Sequence, residues 1–537
     1  MTSQSVQEAA AHPSTRWRSI SELLDSQAAR TPSAPAVSFP TGHLSYRELA
    51  AGSLLAARRL RACGVGPGDR VGILLREGCV PYVTFGLGAM RLGAMCVPIN
   101  ARNKTHELSY VMQHAGPRVL ITSSEFEQLV QEAGLPEGCK LLLLSDDGEL
   151  GGEPGDAPAD EVAEIERGVD RDAPALLLYT SGTTANPKGV VHTHATLIAV
   201  GYNTSDRLEL ASEDRYWTAL AMFHVGGWQV LSSALAVGAC FSHVGFYEAG
   251  STLDQLERER VTVAMPAFEL IWMGVLNHPR FAEADLSALR LVMNVGVPER
   301  MERMQQMLPR AVQVSMVGMT EAAGSICIGS TKDSLYSRTH TSGRPLRGME
   351  VRVINPVTGE ECPRGVPGEL LFRGVTRFIE YYRDPATTAS VIDEEGWAHT
   401  GDLVRQEDDD TIAFMSRLKD MLKVGGENAS AAEIEGYLIT HPGVAMAAVV
   451  AAPDARYGEV PAAFVQRTPG AEVTEEELIG YCMGSIATYK VPRYVRFVDD
   501  YPVAASAKIQ KFVLREQIEA ELRERGITEA PKLVSRR

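Results

Sequence analysis

Residues Tyr179–Gly189 read YTSGTTANPKG, a stretch with five hydroxyl side chains, two glycines and one lysine. Backbone amides, hydroxyls and an ammonium gathered in one turn are what a polyphosphate requires. Glycine lets the backbone approach closely, and the donors converge on anionic oxygens. The spacing differs from the G-x-x-x-x-G-K-[ST] of a P-loop. A Ser/Thr/Gly-rich linker shares this composition, but linkers rarely sit between a buried strand and a Pro-Lys-Gly turn. His192 and His194 form an H-x-H pair just beyond. A metal centre needs more ligands, so the pair reads as structural. Cys63, Cys79, Cys96, Cys139, Cys240, Cys327, Cys362 and Cys482 are scattered without a C-x-x-C pair. They read as buried thiols in a reducing cytoplasm, not as a disulfide framework or a zinc site.

The apolar run Ala175–Leu178 predicts a buried strand that delivers the Tyr179–Gly189 loop. Around it, strands and helices alternate to about residue 330, the pattern of parallel α/β layers. Ile20–Ala62 reads as helical, with Leu44–Glu48 opening a helix after a turn, and Val65–Arg70 is a tight turn feeding a strand over Val71–Leu75. The stretch Asp146–Asp172 is rich in Asp, Glu, Gly and Pro and reads as an exposed connector between two subdomains. From Gly343 the pattern changes to short strands, Val351–Ile354 and Gly368–Phe372, which predicts a β-rich subdomain. A second boundary falls at Ser416–Asp420. Beyond it, strands over Ala445–Ala451 and Pro461–Val465 and helices over Ala432–Ile439 and Glu475–Met483 form a small α+β domain. The expected division is residues 1–417 and 418–537.

The 537-residue length allows more than one domain with its own core, and 45% apolar with 22% charged residues is ordinary for a soluble globular protein. A net charge of −16 disfavours nucleic acid or an anionic membrane as partner. The N-terminal MTSQSVQEAAAHPSTRW lacks the apolar core of a secretory signal, and no membrane span is expected.

The Tyr179–Gly189 loop resembles the phosphate loop of the acyl-adenylating superfamily, which includes acyl-CoA synthetases, firefly luciferases and peptide-synthetase adenylation domains. Further motifs in the superfamily's order extend the resemblance from about residue 18 to about 516. The resemblance implies that Thr180, Ser181, Gly182, Thr183, Thr184 and Lys188 hold the β- and γ-phosphates of ATP. It places His224, in Met222–Gly227, beside the acyl and thiol channels. It implies that Val295–Gly296–Val297–Pro298 passes along the adenine and the carboxylate pocket, with Phe223, Phe268, Val295 and Met316 as pocket walls. In Met316–Glu321, it implies that Val317, Gly318 and Met319 line the nucleotide, that Thr320 contacts phosphate and that Glu321 coordinates Mg²⁺. Mg²⁺ held by a hard oxygen ligand neutralises a triphosphate under attack by a carboxylate. The resemblance further implies that Asp402 accepts the ribose hydroxyls, Arg417 partners ribose or phosphate, and Lys419 is the hinge of the C-terminal domain. Gly425–Gly426–Glu427–Asn428 resembles the loop lining the pantetheine tunnel. Lys508 stabilises charge between the attacking carboxylate and the α-phosphate. The chain departs from the pattern at several points. Ala185 and Ala507 stand where glycine is usual, Met316 also replaces glycine, and Val317 replaces an aromatic residue. Losing that aromatic face removes about 1 kcal/mol of stacking on adenine.

The resemblance therefore implies an adenylating-enzyme fold: a large N-terminal domain of α/β layers with a β-rich subdomain, followed by a mobile α+β lid. It implies an ATP- and Mg²⁺-dependent, AMP-forming acid–CoA ligase, cytoplasmic, monomeric or homodimeric, similar to bacterial fatty-acyl and aryl-CoA synthetases. Alternatives that keep the fold load a carrier protein or activate a small acid such as nitrite for diazotisation. A non-catalytic nucleotide-binding relative would be expected to have lost at least one of Lys188, Thr320, Glu321, Asp402, Arg417 and Lys508, and all are present.

Overall fold

Strands apolar on both faces must be covered on both faces, and the helices between them do this. The computed structural model describes residues 12–76, 78–145, 150–151, 155–180, 187–424, 427–483, 485–503 and 508–533. Among the described residues, one sheet has eight strands. Its order is Glu380–Tyr381, Lys188–Thr193, Pro174–Thr180, Met95–Pro98, Arg70–Leu74, Val119–Ser123, Lys140–Leu144 and Leu150–Gly151. A second has nine, ordered Arg344–Pro345, Gly324–Ile328, Val312–Met319, Leu291–Val295, Val263–Phe268, Arg215–Thr218, Cys240–His243, Pro35–Phe39 and Gly42–Ser45. Both have parallel centres, as the alternating pattern predicts. Helices Val80–Arg91, His194–Arg207 and Val225–Val237 fill the space between layers, and most residues of each are buried.

Met349–Ile354, Gly368–Gly374, Ala398–Gln406 and Ile412–Arg417 form an antiparallel four-stranded sheet, the β-rich unit expected from Gly343 onward. This sheet ends at Arg417. After the single 3-10 turn Leu418–Asp420, a new sheet begins at Met421. Its long hairpin, Val444–Asp454 with Gly458–Arg467, packs between helices Ala431–Ile439 and Lys511–Glu524. The cores formed there contain residues from Leu422 onward and none from earlier in the chain.

Two expectations need correction. Ile20–Ala62 is not one helical stretch. Helix Ile20–Arg30 stops, and a hairpin of Pro35–Phe39 and Gly42–Ser45 precedes helix Tyr46–Ala62. The cause is non-local, because Val37 and Ser38 pair in parallel with Phe241 and Ser242 and so join the nine-stranded sheet. The opening of the second helix is as read, since Ser45 and Glu48 form a capping box. The 146–172 stretch does not join two subdomains. The strands on either side of it, Lys140–Leu144 and Pro174–Thr180, lie in the same sheet. Within it, helix Ala159–Arg167 buries Val162, and Glu166 bonds Arg91 Nη1 at 2.6 Å. Residues 146–149 and 152–154 lie outside the described residues.

Candidate active site

The loop-bearing strands form an antiparallel hairpin in which Thr180 faces Lys188. Ser181, Gly182, Thr183, Thr184 and Ala185 lie outside the described residues. Lys188 Nζ sits 5.0 Å from the centroid of the Tyr381 ring. The Tyr381 hydroxyl donates to Glu321 Oε1 at 2.7 Å. Two further bonds fix the Thr320–Glu321 turn: His192 Nε2 donates to the Thr320 carbonyl at 2.7 Å, and the Phe378 amide to the Glu321 carbonyl at 2.8 Å. Burial pushes His192 down to about 4, so the ring is neutral and its protonated nitrogen serves as a fixed strut. His192 of the H-x-H pair thus ties one sheet to the acidic turn of the other, whereas His194 Nδ1 accepts from the Ile20 amide.

Asp402 lies opposite Arg417 in neighbouring antiparallel strands, and Arg417 Nε is 2.6 Å from Asp402 Oδ1. The contact is an ion pair without a well-directed hydrogen bond, so the buried Oδ1 keeps its capacity to accept one. Burial drives the Asp402 carboxyl up to about 6, against the pull of the Arg417 and Lys508 charges, while Glu321 and Glu369 add to the rise. The preceding turn is fixed by Glu369, whose Oε1 accepts from the Gly401 amide at 3.0 Å. Gly401 has φ +67°, a conformation that glycine adopts without penalty. Lys508 is exposed and directly precedes Ile509, which bridges to Val503; Ala507 lies outside the described residues.

The remaining candidates converge by strand topology. Phe268, Val295 and Met319 end three neighbouring parallel strands, and Phe223 and His224 follow the end of a fourth. The carboxyl ends of parallel strands are where open α/β sheets bind ligands. Phe268 pairs directly with Val295, and the Phe223 and His224 rings lie 4.7 Å apart. Gly296, Val297 and Pro298 continue from Val295 into helix Pro298–Met307. Burial and the Arg102 charge hold His224 at about 4, and its buried Nε2 has no partner among the described residues. Met316 and Val317 are both buried, and the Met316 thioether accepts from Ser325 Oγ at 3.4 Å. Gly318 has no room for a side chain: a Cβ there would lie 1.8 Å from the Gly324 carbonyl oxygen.

Glu427 is exposed in the hairpin with Met421–Val424, Lys419 lies in the Leu418–Asp420 turn, and Gly425 and Gly426 fall outside the described residues. Sequence reading missed Tyr381 and Glu369, which support Glu321 and Gly401. It also missed Glu269, whose carboxylate is 3.3 Å from Arg300 Nε and would lie 3.0 Å from a Cβ on Gly296. Only the tyrosine pair in IEYYRD offered a signal, since aromatic hydroxyls next to charged residues often carry a polar contact.

The layered fold, with basic and acidic groups from three sheets in contact through Tyr381 and Asp402, fits an enzyme that handles a nucleotide. The chain belongs to the AMP-binding enzyme family: that family matches residues 24–382, and the AMP-binding enzyme C-terminal domain matches residues 433–508. A feruloyl-CoA synthase of Amycolatopsis sp is 35% identical over 492 residues, covering 91% of this chain and 97% of the relative. The 4-coumarate–CoA ligase 3 of Oryza sativa subsp. japonica is 33% identical, covering 89% of this chain and 87% of the relative. The ATP-bound crystal structure of MatB from Rhodopseudomonas palustris superimposes with a TM-score of 0.82 at 26% identity, over 93% of this chain and 99% of MatB.

Proposed function

We propose that this protein is an AMP-forming acid–CoA ligase that acts on an aromatic carboxylic acid. The observation that carries the reading is the setting of Asp402. This buried carboxylate pairs with Arg417 at 2.6 Å and feels the charges of Lys508 and Glu321, which supports a reading in which the nucleotide, metal and catalytic groups work at one site. In the first step, the acid's carboxylate oxygen attacks the α-phosphorus of ATP and the bond to pyrophosphate breaks, leaving an acyl-adenylate. Lys508 carries the charge that builds up on the α-phosphate, and Asp402 holds the ribose diol. In the second step, the CoA sulfur attacks the acyl carbon, loses its proton and displaces AMP.

Mg²⁺ fits the donor set. This ion keeps most of its waters and takes one or two carboxylates plus substrate phosphates, and Glu321, with one oxygen tied to Tyr381, offers the other. When bound, Mg²⁺ supplies neutralisation of the polyphosphate. Residues 418–537 would rotate about Lys419 between the two steps, withdrawing Lys508 and presenting Gly425–Glu427. Phe223, Phe268, Val295 and Met316 would wall the acid pocket with apolar surface that suits a ring, in line with the acids in the names of the feruloyl and coumarate relatives. All eight cysteines are free, in keeping with a cytoplasmic setting, although Cys79, Cys139 and Cys362 are only partly buried, against the expectation of buried thiols. Among the described residues, no helix is long and apolar enough to cross a membrane.

The test is ATP–pyrophosphate exchange across benzoates, cinnamates, fatty acids and nitrite, each with and without CoA. Exchange with an aromatic acid plus CoA-dependent AMP release is the expected result. Exchange with AMP release only on adding a carrier protein would replace CoA as acceptor. Turnover with nitrite and an aryl amine alone would overturn the acid.

A further inference from the structure

Tyr381 stands between two groups that the ligase reading uses separately. Its hydroxyl meets Glu321 Oε1 at 2.7 Å, a charge-assisted bond in a buried place. The face of the same ring carries the Lys188 ammonium at 5.0 Å. The ring is itself clamped. Tyr381 pairs with Val190 at the margin of the eight-stranded sheet, its amide donates to Thr388 Oγ1 at 2.9 Å, and Phe378 packs edge-on at 4.9 Å. The backbone of Glu321 is held independently, by the Phe378 amide. The tyrosine hydroxyl therefore acts on the carboxylate alone and not on the turn that bears it.

We propose that Tyr381 is the positioning residue for both phosphate-neutralising charges, its hydroxyl orienting the Glu321 carboxylate toward the metal and its ring face seating Lys188 toward the polyphosphate. The inference rests on the ligase reading. Lys188 and Glu321 come from different sheets and have opposite charge. Without a spacer they would close into a direct ion pair, each spending its charge on the other. An aromatic ring with a hydroxyl at its edge prevents this: the cation rests on the face, the anion is bound at the rim, and both stay available to substrate. Partners of this kind, one contact removed from a metal, typically change metal affinity by about 10–100-fold when lost.

The experiment measures ATP binding by calorimetry, with and without MgCl₂ and with no acid present, for the wild type, Tyr381→Phe and Tyr381→Leu. Each protein's ratio of the two affinities is its own control for any loss of folding. In Tyr381→Phe the Mg²⁺-dependent gain in affinity should fall about tenfold, while Mg²⁺-free binding stays within about twofold. In turnover, its half-saturating Mg²⁺ should rise by a similar factor, with kcat recovered at saturating Mg²⁺. Tyr381→Leu should lose the same gain and also weaken Mg²⁺-free binding about threefold, as Lys188 loses its seat. An unchanged Mg²⁺ ratio in Tyr381→Phe would overturn the proposal and leave the ligase reading intact, even if the thermal midpoint dropped. A wild-type protein whose ATP binding ignores Mg²⁺ would overturn both.

Discussion

Asp402 is a carboxylate whose working form is its costly one. Burial lifts it from 3.8 to about 6, so between those values the folded chain holds a proton that the unfolded chain releases. Stability must therefore fall as pH rises through that window, the reverse of the usual carboxylate trend. Ribose hydroxyls donate to the ionised form, so ATP affinity should rise over the same window and level off above about 6. Asp402→Asn is expected to remove this component of the thermal midpoint's pH slope and to weaken ATP binding at pH 7 at least tenfold. Calorimetry from pH 4 to 7 reads both, and a midpoint slope unchanged in the variant would contradict the assignment. Lys508 differs in being exposed. Its charge tempers the rise of Asp402 at rest, but its main role is proposed for the moment the α-phosphate is under attack, so Lys508→Ala should cut pyrophosphate exchange by about 100-fold or more and change ATP binding far less. Of these roles, the motif positions were legible in the sequence. The elevation of Asp402 was not, because it comes from the burial of one strand pair.

At the scale of elements, the hairpin Val312–Met319/Gly324–Ile328 carries the Thr320–Glu321 turn, and its close approach depends on Gly318. Gly318→Ala puts a methyl against the Gly324 carbonyl and should cost about 1–3 kcal/mol, read as a lower denaturant midpoint at constant m-value. Loss of exchange beyond what unfolding explains would show that the turn itself had shifted. Elements with strong local signals were legible: the strand before the phosphate loop, the capped helix at Ser45, and the hairpins beyond Gly343. Pro35–Phe39 was not, because five residues carry little periodicity and their partner is Cys240–His243, about two hundred residues away. Tyr381 was overlooked for a similar reason. Its strand is two residues long and exists through pairing with Lys188–Thr193.

At the scale of the molecule, the two parts of the chain meet through Arg300. Its guanidinium is buried, lies 3.3 Å from Glu269 and donates to the Ala445 carbonyl across the junction at 3.1 Å. Burial raises the Glu269 carboxyl, with Arg300 opposing and Glu435 of the C-terminal part adding to the rise. Arg300→Met leaves that carboxylate unpaired and should destabilise by about 3 kcal/mol. The low end of the range applies because 25% of the Glu269 side chain still meets solvent. Adding Glu269→Gln should return at least half of the loss, so the two changes must be non-additive in a double-mutant cycle. Additive losses would show that Arg300 acts through Ala445 alone.

The order and chemistry of the motifs belong to the chain itself, because phosphate loops, capped helices and hairpin turns are set by residues close in sequence. Through the resemblance they carry, they implied the nucleotide, the metal and Lys508 as the lysine proposed to meet the α-phosphate. Which residues support them was settled by packing. Tyr381 under Lys188, His192 behind Thr320, Glu369 behind Gly401 and Arg300 against Glu269 are all contacts between separate elements. Such contacts leave no local pattern, since they exist only once the two large sheets, the four-stranded sheet and the C-terminal unit lie against one another.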